Sequence, residues 1–421
     1  MKTARTAPRR IRGFLFLILG MSFAAAAARP CTLALISGRA TANGRPLMWK
    51  NRDTSDPDNK LMFFKGPKYD FIAVVISGDA KPSEVWGGQN TEGFAVMNSQ
   101  ANDLAAPGAK EGGDGNGAFM KLALGECATV GDFERLLVRE KGKWDLAANF
   151  GVIDAEGGAC FFEAGRAAFE KFDTKDLRVA PFGAIVRTNF AFTSRDPLLG
   201  GGFERFERIG HIIEAGRAAN RIDVRFILQE ASRDLVHEKL HSYPLTRPLP
   251  EDLAEPLYIN TNDTINRNTS VSALVFEGVN SRSQAHLATM WVILGQPEAG
   301  AAVPVWPAAG KVPAVTTGAG TAPLNDLARA VAAYLYPDRR GRMSQYMNVT
   351  RLRTYGGEGI PAKIQRAENR ALESASARLA EWEKRKPAAA EMADFQESVA
   401  STVFEALKKE FAGLSPAPPA R

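Results

Sequence analysis

Between residues 30 and 310, apolar positions come in short runs separated by Gly and Asn turns, the pattern of buried and half-buried strands. Strands are predicted at 31–37 and 47–49 around Asn43-Gly44, a pair that tolerates positive φ at both turn positions and so signals a hairpin. Further strands are expected at 71–76 and 94–97. The runs 150–154 and 159–163 flank Ala155-Glu156-Gly157-Gly158 as another hairpin, and more strands are expected at 166–173, 183–190, 270–276 and 287–294. Helical spacing appears at 118–128, at 131–140 with Asp132 near its start, at 203–215 and at 223–235. Residues 101–117 read as a Gly-rich loop. Strands, then central helices, then strands again predict sheets covered by helices.

Past Pro304-Val305-Trp306-Pro307 the pattern changes. Residues 362–386 and 391–411 are rich in Ala, Glu, Lys and Arg at helical spacing and break at Lys386-Pro387, which predicts a helical hairpin followed by a disordered Pro-Ala tail. No internal repeat is visible. The expected organisation is a main domain over 31–310 and a C-terminal helical extension with its tail over 311–421. With 421 residues, 45% of them hydrophobic and six tryptophans among them, the chain can build a sizeable core.

The N-terminus reads differently. Lys2, Arg5, Arg9, Arg10 and Arg12 precede an apolar stretch at 14–19, and alanines at 24–28 offer small-residue cleavage sites. This is the layout of a signal peptide over 1–28, its apolar run too short for a spanning helix. Periplasmic or secreted localisation without a stable membrane anchor is therefore expected. Arg9-Arg10 is at most a weak hint of twin-arginine export. The pI near 9.1 is inflated by this leader. Basic residues elsewhere are interspersed with acids in no stripe, so no nucleic-acid partner is expected. Three cysteines are too few for a disulfide framework. Cys127 and Cys160 read as small buried hydrophobes, at most a pair, which leaves Cys31 unpaired.

Cys31-Thr32 stands just past the leader. A cysteine that becomes the first residue of a mature chain can use its own freed α-amino group as the base for its thiol. Cleavage after Ala28 leaves Arg29-Pro30 still to be removed, by self-cleavage or by another peptidase. With a two-residue turn at Asn43-Gly44, position 50 faces 37 and position 53 faces 34, so Asp53 arrives a pleat or so from Cys31, a bulge or slip closing the rest. A carboxylate there could hold the new ammonium group, and a cation at Lys50 or Arg52 could stabilise a thiolate. A strand start followed by a solvated, charged turn fits the same residues. The four histidines, His211, His237, His241 and His286, share no spacing with Cys31, so no Cys-His dyad is expected. His237 and His241 lack any accompanying ligand motif, so no metal and no cofactor is expected either.

Cys31-Thr32, the Gly44 turn and Lys50-Asn51-x-Asp53 resemble the N-terminal nucleophile (Ntn) hydrolases of the linear-amide C–N hydrolase superfamily. That superfamily includes the bile-salt (choloylglycine) hydrolases, penicillin V acylases, acyl-CoA:6-aminopenicillanic-acid acyltransferases and cysteine dipeptidases. The 86–98 stretch, with Gly88-Gln89-Asn90 and Gly93 leading to Asn98, is similar to a strand of that family ending in asparagine. The 150–163 hairpin, Arg187-Thr188-Asn189-Phe190, and Glu204-Arg205-Phe206-Glu207-Arg208 follow in the family's order. The chain departs at Lys50, where the family has arginine, with Arg52 two residues on. The resemblance covers roughly 31–300 and implies an α+β four-layer αββα sandwich. It implies Cys31 as nucleophile and its amine as base. Asp53 would orient that amine, Lys50 would stand at the cation position, Asn98 and Asn189 would be oxyanion donors, and Arg205 would hold the cluster. As plain structure, the two asparagines could cap strand ends and Arg205 could sit on a helix surface.

The implied activity is hydrolysis of a small-molecule linear amide through an acyl-enzyme on Cys31, with acyl transfer or dipeptide cleavage as alternatives on the same fold. A homo-oligomer is compatible with this reading. Two other classes compete. A lipid-anchored binding protein acylated at Cys31 is disfavoured because Arg29-Pro30 is a poor sequence before a lipidated cysteine. A catalytically inactive binding protein of the same fold is kept open by Lys50.

Overall fold

The computed structural model describes residues 30–106, 115–245, 255–338 and 341–414. The expected signal peptide, the centre of the Gly-rich segment and the Pro-Ala tail lie outside the described residues. The first hairpin consists of β1 (Cys31–Ile36) and β2 (Leu47–Asp53), followed by β3 (Asn59–Phe64), β4 (Phe71–Ile76), β5 (Gly88–Asn90) and β6 (Ala95–Gln100). Helices α1 (Asn116–Glu126) and α2 (Val130–Arg139) lead into β7 (Ala147–Ile153), β8 (Ala159–Gly165), β9 (Phe169–Asp173) and β10 (Ala184–Arg187). After α3 (Phe203–Ala218) and the short α4 (Val224–Phe226) come β11 (Tyr258–Asn260), β12 (Ser270–Glu277), β13 (Thr289–Leu294) and β14 (Val303–Val305). The chain continues through α5 (Pro323–Leu335), β15 (Tyr346–Asn348), α6 (Val349–Thr354), α7 (Ile360–Trp382) and α8 (Ala389–Glu410).

Two antiparallel sheets carry the fold. One has the order β10-β1-β2-β12-β13-β14, the other runs β3 to β9 in sequence, and β11 pairs with β15 apart from them. The sheets meet face to face, β1 against β6 and β8, β2 against β7. Helices α1 and α2 cover the outer face of the second sheet, and α3, α5, α7 and α8 lie on the first, which gives the four αββα layers. Period-two alternation builds this directly. On β4, Phe71, Ala73 and Val75 pack with Phe119 and Phe133 of the helices, while Ile72 and Val74 join the core between the sheets.

The structure departs from the sequence reading at particular places. The first hairpin has no two-residue turn: Ile36 faces Leu47, and a longer connection carries a 3-10 turn at Gly38–Ala40. Distant contacts stretch that connection, because Asn43 Nδ2 donates to Glu277 Oε1 (2.7 Å) and Arg45 Nε donates to the Gly278 carbonyl (2.7 Å). The helix expected at 223–235 is the α4 turn running into a π turn at Ile227–Ala231. Its end is fixed by a buried contact, since Asn51 Nδ2 donates to the Ser232 carbonyl (2.8 Å). Strand β3 was not foreseen in its half-polar sequence. The C-terminal hairpin forms, but it is not set apart: Ile364, Leu372, Trp382, Val403 and Leu407 belong to the same core as the first sheet. Arg233 and Glu368 join in a buried two-pronged pair (3.0 and 2.8 Å), and the same carboxylate accepts from the Ala302 amide. Cys127 and Cys160 are free and buried, and burial raises both thiols, Cys127 to about 12.

Candidate active site

Cys31 opens β1, a central strand flanked by β10 and β2. It faces Arg52, and Leu33 faces Lys50, so the side chains of Cys31, Lys50 and Arg52 share one face of the sheet. Thr32, Asn51 and Asp53 point to the other. The site is thereby split. The thiol looks into the space between the sheets, and the acid looks toward the helical layer.

On the thiol side, the Lys50 ammonium donates to the Trp86 carbonyl (2.8 Å) and to Asn98 Oδ1 (3.0 Å). β5 pairs with β6 only at Gly88–Val96 and Gln89–Ala95, short of the Asn98 end. Burial pushes Lys50 down to about 8, with the Cys31 thiol acting in the opposite direction. The bond fixes the oxygen of the Asn98 amide on Lys50 and leaves its NH2 as the donor end. Arg52 stacks over Trp86 (4.8 Å) and donates to Asn59 Oδ1.

On the helical side, Arg205 of α3 is almost fully buried. It donates to the Cys31 carbonyl (2.7 Å), to Thr32 Oγ1 (2.9 Å) and to Asn189 Oδ1 (2.9 Å). Burial, then the neighbouring Arg267, lowers it to about 10. Gly202 makes this approach possible: its φ is 81°, and a Cβ there would strike the Arg205 guanidinium. Asn189 Oδ1 also accepts from the Cys31 nitrogen (2.8 Å), and Asn189 Nδ2 donates to the Gln100 carbonyl (2.9 Å). Two donors on one oxygen fix the amide's orientation, with the carbonyl toward Cys31 and the NH2 toward Gln100.

Asp53 is fully buried. Its Oδ1 accepts from Ser270 Oγ (2.6 Å), and its Oδ2 has no hydrogen-bond partner among the described residues. Burial raises its carboxyl against the opposing pull of Arg267, Arg205 and Ser270. The sequence register placed Asp53 opposite 34. The actual pairing puts Trp49 there, a slip of four residues that carries Asp53 level with the residue before Cys31. A cleft of about 330 Å³ opens here, lined by Pro30, Gln100, Asn189, Gly202, Arg205 and Arg267 among others.

The candidate site residues Cys31, Lys50, Asp53, Asn98, Asn189 and Arg205 lie in one neighbourhood, linked to Cys31 directly or through one another, whereas Cys127 and Cys160 belong to the core beneath the other helical layer. Sequence reading missed Arg267, Ser270, Trp86 and Asn59. The available signal for the first two was the polar run Asn266-Arg267-Asn268-Thr269-Ser270 immediately ahead of a predicted strand. His237 and His241 form an isolated bridge, with ring centres 6.0 Å apart. Among the described residues no group of three or more His, Cys, Asp and Glu is placed to hold a metal ion, and no helix is long and apolar enough to cross a membrane.

No protein-family model and no curated protein matches the chain. Solved structures do. A mutant of the conjugated bile acid hydrolase from Clostridium perfringens is similar at 11% identity and a TM-score of 0.41, over 66% of this chain and 92% of that one. The penicillin V acylase from Agrobacterium tumefaciens is similar at 12% identity and a TM-score of 0.36, over 66% and 86%.

Proposed function

We propose that the chain is an exported N-terminal nucleophile amidohydrolase that cleaves a linear amide C–N bond through a thioester on Cys31. The observation that carries this reading is Asp53 Oδ2, a buried carboxylate oxygen without a hydrogen-bond partner among the described residues, level by strand register with the residue before Cys31, whose nitrogen Asn189 already holds. Removal of residues 1–30 turns that nitrogen into an amine with more hydrogens to donate, and Asn189 and Asp53 are acceptors for them. A buried unsatisfied carboxylate is otherwise costly.

The amine takes the thiol proton as Sγ attacks the substrate carbonyl carbon, and the C–S bond forms. The Asn98 amide, its oxygen held by Lys50, donates to the carbonyl oxygen as negative charge develops. Collapse breaks the C–N bond, and the leaving nitrogen takes the proton from the α-ammonium. Water then attacks the thioester, gives its proton to the amine, and Sγ leaves as the thiolate that is reprotonated for the next cycle. Arg205 acts through others: it anchors the Cys31 carbonyl and keeps Asn189 turned toward the amine.

The test is the purified mature protein, its N-terminus weighed and its turnover measured on N-acyl amino acids, penicillin V, conjugated bile salts and dipeptides. The expected mass begins at Cys31, one class of amide is cleaved, and Cys31→Ser removes nearly all turnover because a hydroxyl is a far poorer nucleophile here. A fully active enzyme that still begins at Arg29, or a Cys31→Ser variant of undiminished rate, sinks the reading. A diacylglyceryl group on Cys31 supports the lipid-anchored alternative instead.

A further inference from the structure

Asp53 and Arg267 meet in an incomplete pair. Arg267 Nη1 stands 3.9 Å from Asp53 Oδ2, beyond hydrogen-bond reach, and both side chains are buried. Neither can easily close the distance. Arg267 Nη2 is engaged with Asn262 Oδ1 (2.9 Å), and its backbone nitrogen donates to Ser270 Oγ (3.0 Å). The same Ser270 hydroxyl donates to Asp53 Oδ1 (2.6 Å), so one serine ties the acid to the backbone of Arg267. What remains is a carboxylate oxygen with a guanidinium on one flank and, by the strand register, the start of β1 on the other.

We propose that Arg267 is a positioning residue for the catalytic base: by sharing Asp53 with the freed Cys31 amine, it keeps the carboxylate from locking that amine as an ammonium ion. The inference rests on the reading of Cys31 above. An α-amine titrates ordinarily at roughly 7.7–8. A buried carboxylate as its sole charged partner would raise that value, and an ammonium ion cannot take the thiol proton. A guanidinium on the same carboxylate opposes the rise without breaking the amine's hydrogen bond. The charged groups around the amine are Lys50, Arg52 and Asp53 from β2, Arg205 from α3, Asp263 and Arg267 from the segment ahead of β12, and the Cys31 thiol itself. His237 enters through its interaction with Asp263. Arg205 is committed to Cys31, Thr32 and Asn189, so Arg267 is the cation whose contact is with Asp53.

The experiment uses mature full-length protein labelled with nitrogen-15 cysteine, in which the amino signal of Cys31 stands apart from two backbone amides and is titrated by NMR. The acid limb of kcat/KM is measured alongside. Arg267→Gln is expected to raise the amine's midpoint by about one pH unit or more and to move the acid limb by the same amount. Arg267→Lys is expected to restore both values toward the starting protein. If Arg267→Gln does not fold, Arg267→Met is read in the same way. An unmoved amine midpoint overturns the proposal, as does a raised KM with a fixed acid limb, which would make Arg267 a substrate contact. The NMR titration needs no substrate, so the two readings fail separately. A mature chain without a free Cys31 amine overturns both, whereas a free amine indifferent to Arg267 overturns only this one.

Discussion

Burial carries Lys50 well away from its ordinary behaviour. Burial without a carboxylate in hydrogen-bond contact lowers it from 10.5 to about 8. Between those two values the unfolded chain binds the proton and the folded chain does not, so this residue makes stability rise with pH across that window, by about 3 kcal/mol in all. Activity should move the other way. If the Lys50 charge supports the thiolate and fixes Asn98, kcat falls as pH rises through about 8. Lys50→Arg, whose guanidinium stays charged, should carry the plateau to higher pH. Lys50→Met should lower kcat and remove this rise from the urea midpoint between pH 8 and 10. A kcat that stays level to pH 10 in the starting protein would remove the cation from the mechanism. For Asn98→Ala the expected loss is on the order of a hundred-fold in kcat with KM little changed, the usual cost of one oxyanion donor. Asn189→Ala should show itself chiefly in the acid limb, since its oxygen, not its NH2, faces the amine.

At the scale of elements, the entry into α3 decides whether Arg205 reaches Cys31. The helix has no side-chain cap and begins after Gly202 in the left-handed region, with the Asn189–Gly201 bridge closing the loop ahead of it. Gly202→Ala adds backbone strain of about 1 kcal/mol and a clash with the guanidinium. The expected result is a fold that persists by circular dichroism, a modest drop in Tm, and a loss of turnover close to that of Arg205→Ala. Full activity in Gly202→Ala would mean that Arg205 can hold Cys31 from elsewhere. The first hairpin gives the complementary lesson. Its register slipped by four residues from the one expected, and because the slip is even every side chain stays on the side of the sheet that the expected register implies.

For the whole molecule, the C-terminal helices share one core with the sheet that carries Cys31. Trp382 of α7 packs edge-on against Trp306 (5.3 Å), and Arg233 crosses from the π-turn region to Glu368. Glu368→Ala would leave a buried guanidinium without its partner, at a cost of about 3 to 5 kcal/mol. Paired replacement of Arg233 and Glu368 by apolar residues should recover much of that loss. Both effects are readable in urea unfolding. A truncation ending at 359 should yield insoluble or unfolded protein, because it uncovers the Trp306 face of the first sheet. If the truncated chain folds and turns over substrate, the hairpin is an accessory after all.

The sequence by itself determined what depends on local pattern. Alternation located most of the strands of the two sheets, and the order of strands and helices called for sheets covered by helices. Only the tertiary structure decided what depends on distant partners. The hairpin register was set by contacts from Glu277 and Gly278, the end of the 223–235 helix by Asn51, and the seat of the C-terminal hairpin by Arg233. The roles of Asn189 and Arg267 belong to the same group. An amide's direction is set by which neighbours donate to it, and a guanidinium's effect by which carboxylate it approaches, and both kinds of neighbour lie many residues away along the chain.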